Sequence, residues 1–363
     1  MTSDIEIQIT RLNQQVSSLN QQGKYEEAIN LAKQAYELAC QHLGGEHPGI
    51  LESLENLAGL LKSKGDYANA EAFYRRALDI REKVLGSEDP DTARILNNLS
   101  VLLYERGDYK GAESLYLRSL AIREKLMGPE HPDTAQSLNN LAGLLSSKGD
   151  YDGAEPLYRR ALSIWEKVLG PENPAIATTL NNLALLLARR GDYDRAERLY
   201  KRALAIREKV LGSDHLEVAQ SLNNLAVLFD STGKYEQAKR LYEQALEIRR
   251  RQLAENHPSI ASSLHNLAAL SQRIGDYAAA EQLYRQALEI RRNVFGESHP
   301  DIANTLENLA LLYESMGDYK AAKPIYNKAL EIFRMVLGEN HPRVREIQSK
   351  QEIILRKLLD DKA

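Results

Sequence analysis

Apolar residues return at helical spacing along most of the chain, and the pattern restarts on a fixed step. Between residues 132 and 170 it predicts two helices. In the first, Ala135, Leu138, Leu141, Ala142 and Leu145 share a face behind Pro132, whose missing N–H costs nothing at a first helical position. Gly149 then supplies a stop, and Asp150 a cap for the next helix. The second helix carries Tyr151, Ala154, Leu157, Tyr158, Ala161, Leu162, Ile164 and Leu169, and ends at Gly170. Ala142, Ala154 and Ala161 are small where two helices must approach closely.

The step is 42 residues. Glycine, then Asp or Lys, then Tyr begins at Gly23, Gly65, Gly107, Gly149, Gly191, Gly233, Gly275 and Gly317, with no insertion between copies. A second marker keeps the same spacing in His47-Pro48, Asp89-Pro90, His131-Pro132, Asn173-Pro174, His257-Pro258, His299-Pro300 and His341-Pro342, and only His215-Leu216 lacks the proline. The chain therefore reads as eight copies of one unit, at about 6–47, 48–89, 90–131, 132–173, 174–215, 216–257, 258–299 and 300–341. A single helix pair cannot bury its apolar face, so neighbouring copies must stack. The expected fold is all-α, a solenoid of helix pairs filling 1–363 as one domain, closed by a capping helix over 342–363. At the other end Ser3 and Glu6 suggest a capping box ahead of Ile5, Ile9, Leu12, Val16 and Leu19. Pro156 and Pro324 fall about a turn inside second helices, where local irregularity is expected.

The spacing Leu141-Ala142, Ala154, Tyr158, Ala161 resembles the core of the tetratricopeptide repeat (TPR), whose unit is about 34 residues. The longer unit with "LNNLA", "GDY", "AEPLYRRAL" and "HPDTA" is similar to the repeats of kinesin light chains and their bacterial relatives. The resemblance implies a right-handed superhelix of antiparallel helix pairs with a concave, ligand-binding inner surface. It covers only the repeat domain of kinesin light chains, which follows a heptad coiled coil. Here about five residues precede the first helix, which counts against a motor-subunit role.

"LNNL" recurs at Leu96–Leu99, Leu138–Leu141, Leu180–Leu183 and Leu222–Leu225, although asparagine is a poor helix former. Its second asparagine is Asn56, Asn98, Asn140, Asn182, Asn224, Asn266 and Asn308, with Gln14 in the first unit. On a TPR template this position lies on the first helix and faces the concave surface. An amide both donates and accepts, so a row of them could grip an extended peptide by its backbone. The same amides could instead bond to neighbouring helices and fix the stacking register. The preceding position varies: Glu55, Asn97, Asn139, Asn181, Asn223, His265 and Glu307. Arg94 is the one basic residue four places before the second asparagine, which speaks against a clamp for a C-terminal carboxylate. Lys62, Tyr104, Glu105, Arg189, Asp230, Arg273 and Glu314 complete the groove candidates, with mixed signs.

Net charge is −4, which leaves no electrostatic footprint for nucleic acid or an anionic membrane. No apolar run approaches the roughly 20 residues that span a bilayer, and the first residues lack a secretory pattern. A cytoplasmic protein is the expectation. One cysteine, Cys40, offers no disulfide or CxxC site and reads as a small helix residue. Nucleotide, zinc-protease and hydrolase motifs are missing, so no enzyme, cofactor or metal site is expected. Six of the eight histidines are the repeated ones, too far apart to share an ion and better read as loop residues beside proline. Fifteen of the 18 tyrosines occupy the two positions represented by Tyr151 and Tyr158, which reads as core. Arg81, Arg123, Arg207, Arg249 and Arg291, late in second helices, read as a solvated outer face. Trp165 and Phe333 replace that arginine, and Trp165 could contact a partner or simply pack. The expected function is a non-enzymatic protein-protein interaction scaffold that binds an extended peptide segment of a partner in its concave groove. The alternatives are a self-associating structural solenoid and a kinesin-light-chain-like cargo adaptor. A monomer with at most weak self-association is expected.

Overall fold

The computed structural model describes the backbone of residues 2–360 and the side chains of residues 4–358 apart from that of Leu85. It contains seventeen α-helices and no strand among the described residues. The pairs are α1 (Thr2–Gln21) with α2 (Tyr25–Leu43), α3 (Leu51–Ser63) with α4 (Tyr67–Leu85), and α5 (Pro90–Glu105) with α6 (Tyr109–Met127). Next come α7 (Pro132–Lys148) with α8 (Tyr151–Leu169), and α9 (Pro174–Arg189) with α10 (Tyr193–Leu211). The series continues with α11 (Leu216–Ser231) and α12 (Tyr235–Gln252), α13 (Pro258–Arg273) and α14 (Tyr277–Phe295), then α15 (Pro300–Ser315) and α16 (Tyr319–Leu337). A last helix, α17 (Pro342–Asp360), packs on α16 as the tail pattern predicts. The helices group into two compact units, one up to Ser213 and one from Asp214 onward.

Within a unit each first helix packs most closely on its own second helix, and each second helix then meets the following first helix. The caps explain why the boundaries repeat. Asp150 accepts from the Gly153 N–H at 2.9 Å, opening α8. Gly149 ends α7 at φ +85°, a left-handed conformation that a side chain would strain. The repeated histidines are more than loop residues: His131 Nδ1 accepts from the Asp133 N–H at 3.1 Å, and His47, His215, His257, His299 and His341 cap in the same way. Asp89 and Asn173 do this with a carboxylate and an amide.

Small and aliphatic side chains meet at the helix crossings. Ala135, Leu138, Ala142, Ala154, Tyr158 and Ala161 are buried, as are the equivalent tyrosines from Tyr74 to Tyr326. Truncating such a leucine typically costs about 2–5 kcal/mol. The other tyrosine row behaves differently, with Tyr109, Tyr193 and Tyr235 exposed at the starts of second helices. Leu169 also lies at the surface rather than in the core, because it sits in the last turn of α8 beyond the reach of α9. The helix α1 starts at Thr2, ahead of the Ser3 cap position, and the Ser3 side chain lies outside the described residues. Both prolines are absorbed without a break: α8 and α16 keep the 19-residue span of their neighbours. Each removes its own backbone N–H from the helix ladder, and the helix continues through it.

The arginine row overturns its solvated reading. Arg123, Arg207, Arg249 and Arg291 are buried. Arg249 donates to the Ser259 carbonyl at 3.1 Å, to Ser263 Oγ at 2.6 Å and to Gln220 Oε1 at 3.0 Å. It thereby ties α12 to α11 and to the first two turns of α13. Arg123 repeats the motif on the Asp133 carbonyl at 2.8 Å and Ser137 Oγ at 3.0 Å. Burial lowers the pKa of Arg123, Arg249 and Arg291, and their hydrogen bonds offset part of the cost of burying the charge. Trp165 and Phe333 take the same buried place, so Trp165 packs internally.

Candidate functional site

The asparagines lie along the exposed side of the first helices and join one repeat to the next. Asn140 Nδ2 donates to Asn97 Oδ1 at 2.6 Å, and Asn182 Nδ2 to Asn139 Oδ1 at 3.0 Å. Asn266 repeats this on Asn223 Oδ1 at 2.8 Å, and Asn56 on Asn13 Oδ1 at 3.3 Å. The first asparagine of the motif is the more deeply placed one: Asn139, Asn181 and Asn223 are buried. The second is half-buried throughout, including Asn98, Asn224 and Asn308. Its carbonyl oxygen faces along its own helix, where Gln136 donates to Asn140 Oδ1 and Gln220 to Asn224 Oδ1, each at 2.9 Å. An amide has two donor hydrogens and two acceptor lone pairs, so one inter-repeat bond does not use it up.

Where the first position is not asparagine, the row changes partner. His265 Nε2 lies 2.8 Å from Asn308 Nδ2, which makes the ring nitrogen the acceptor and requires a neutral imidazole. Burial, with Arg291 nearby, holds the His265 pKa down at about 4. Glu307, buried, takes Arg343 at 2.6 Å and Lys350 at 2.7 Å from the last helix. Arg94 pairs with Glu55, whose pKa burial raises against that pairing, and reaches Asp91 at 3.4 Å. The arginine singled out by the sequence is thus already occupied.

A second row runs beside the first, six and seven residues after the second asparagine. The earlier position of one repeat meets the later position of the next. Lys62 pairs with Glu105 at 2.9 Å, and Tyr104 Oη bonds to Ser147 Oγ at 2.7 Å. In the second unit Asp230 faces Arg273 at 3.5 Å, Gln272 bonds to Ser315 at 3.2 Å and Glu314 faces Lys357 at 3.6 Å. The sequence showed mixed signs here because most of these charges are spent on one another.

Between α5, α7 and α9 the two rows enclose an open cavity of roughly 300 Å³. Tyr104, Glu105, Asn139, Asn140, Asn182 and Arg189 line it together, with Val101, Leu185, Gly143, Ser146 and the phenols of Tyr116 and Tyr158. Six of the sequence-selected residues therefore meet at one place. Asn56, Asn97, Asn98, Asn181 and Arg94 lie outside its lining, and Asn223, Asn224, Asn266 and Asn308 belong to the second unit. Sequence reasoning passed over Gly143. The signal was faint, since the same position holds Val101, Leu185, Val227 and Leu311 but also Gly59 and Ala269. At Gly143 a Cβ would come within 3.4 Å of Tyr158 Oη, so glycine is what leaves the phenol open to the cavity. Burial pushes the Tyr158 and Tyr116 pKa values up, so both hydroxyls are neutral donors at ordinary pH. Among the described residues no group of three metal-ligating side chains is assembled, and no helix is long and apolar enough to cross a membrane.

Stacked helix pairs with an asparagine-lined face define a helical-repeat protein. The profile of the tetratricopeptide repeat matches residues 8–83, 52–125, 91–167, 133–209, 175–251, 259–335 and 301–361, and the chain belongs to that family. Among solved structures, BtubC (BKLC) from P. vanneervenii is 28% identical, with a TM-score of 0.48 over 66% of this chain and 91% of that one. A Podosopora anserina protein, described as having kinesin light chain nearly identical TPR-like repeats, is also 28% identical, with a TM-score of 0.46 over 57% of this chain and 98% of that one. The Rap conjugation gene regulator of the plasmid pLS20, solved with the Phr* peptide, is 17% identical, with a TM-score of 0.61 over 90% of this chain and 95% of that one. Comparison with curated proteins gives no match.

Proposed function

We propose that the chain is a non-enzymatic interaction scaffold that holds an extended peptide segment of a partner protein along the face of its first helices. The cavity between α5, α7 and α9 carries this reading, because it gathers Asn140, Asn182, Tyr104 and Arg189 on one accessible surface. Half-buried amides are suited to the task. Each keeps hydrogen-bonding capacity beyond its inter-repeat bond, and a peptide backbone offers one donor and one acceptor per residue. The fold shared with a regulator solved with a bound peptide is consistent with it.

Selection from a random library of 12-residue peptides tests the proposal. Peptides retained by the intact chain should be lost from Asn140→Ala/Asn182→Ala, while circular dichroism shows the variant still helical. If the variant retains them equally, the asparagines serve stacking alone and recognition lies elsewhere.

A further inference from the structure

The cavity beside Arg189 has a counterpart four repeats later, and the counterpart is filled. There the Glu314 carboxylate accepts from Tyr326 Oη at 3.1 Å and faces Lys357 Nζ at 3.6 Å. Shifted back by four units, Glu314, Tyr326 and Lys357 become Ser146, Tyr158 and Arg189. The two donors are kept and the carboxylate is gone. Other repeats fill the place as well: Asp230 faces Arg273, and Gln272 accepts from Tyr284 Oη at 3.5 Å while reaching Ser315. Arg273 and Arg189 are the same residue at the same repeat position, but no carboxylate among the described residues pairs with Arg189. The short Ser146 and the missing side chain at Gly143 convert the vacant volume into the open cavity.

We infer that this gap binds the carboxylate of an aspartate or glutamate side chain in the partner segment, held between Arg189 and the Tyr158 hydroxyl. The inference rests on the peptide-binding reading above and names the side chain that reading left open. An arginine and a phenol both donate, so the complementary group is an acceptor, and a charged acceptor makes the stronger bond. Asn140 and Asn182 flank the gap on neighbouring repeats, so the segment runs through the cavity and presents a side chain rather than its end. Lys62 already neutralises Glu105, which removes the one nearby anion from the balance.

The test uses the full chain and random 12-residue peptides with amidated C-termini, with Arg189→Ala and Ser146→Glu beside the parent. The parent should enrich Asp or Glu at one position, and replacing that acid by its amide should weaken binding at least about tenfold. Arg189→Ala should bind the acidic and amide peptides alike. Ser146→Glu supplies the carboxylate internally and should lose the acid preference, while its melting temperature rises and Arg189→Ala cancels the rise. An acid preference that survives in both variants overturns the inference. So does a parent that binds only the same peptides with free C-termini, which would make the ligand a chain terminus. Peptides bound without acid preference would sink the carboxylate and leave the groove standing. No peptide bound by the parent would remove the groove reading, and this inference with it.

Discussion

Two rows of polar side chains repeat every 42 residues, and they treat their hydrogen bonds differently. The arginine row is buried, and Arg249 alone engages a carbonyl, a hydroxyl and an amide oxygen from two neighbouring first helices. The asparagine row is half-buried and makes one inter-repeat bond at most of its steps. Both rows bond one repeat to the next. The first turns its donors into the protein, whereas the second keeps its amides half-buried at the surface. A repeat protein can in this way separate cohesion from recognition while placing both on the same period.

The comparison is broken most severely by Arg249→Ala, which leaves the Ser259 carbonyl and Ser263 hydroxyl without their donor. The expected loss is about 2–4 kcal/mol in urea unfolding, and lysine should not restore it because a point charge cannot reach all three acceptors. His265 in the other row should respond to acid. Its folded pKa of about 4 lies below the ordinary histidine value, so the stability is complete above about pH 6.5 and falls as the pH drops toward 4. On the order of 2 kcal/mol should be lost by pH 4.5, and His265→Asn should remove that loss while keeping a bond to Asn308. Asn182→Ala gives up a single bond to Asn139 and should cost about 1 kcal/mol. The smallest effect belongs to Arg189→Ala, within about 0.5 kcal/mol of the parent by thermal melting. Arg273→Ala should cost more, since it strands the buried Asp230 carboxylate.

The helix pairs, their caps and the asparagine positions were legible because each is a local signal repeated in register. Pro132, Gly149 and Asp150 speak for themselves at single positions, and seven further copies remove the ambiguity. The arginine row was misread for a reason of the same kind. A late-helix arginine among mixed charges looks solvated, and only the arrival of the next first helix, with Ser137 or Ser263 opposite, buries it. The candidate site was half legible. Its amides stood out as an anomaly, whereas Gly143 and Ser146 act through what they fail to fill, and an omission has no chemical signature until its neighbours are in place.

The histidine caps carry a consequence of their own. A cap that accepts at Nδ1 works only while that nitrogen is unprotonated. At six helix starts the acceptor is a histidine, and at Asp89 and Asn173 it is a carboxylate or an amide. Burial lowers the pKa of His257 and His341, so folding there disfavours the proton that would undo the cap. Hydrogen exchange under acid should therefore open the first turns of α13 and α17 before those of α5 and α9. Those two helix starts would then behave as independent proton detectors, each reporting on its own helix.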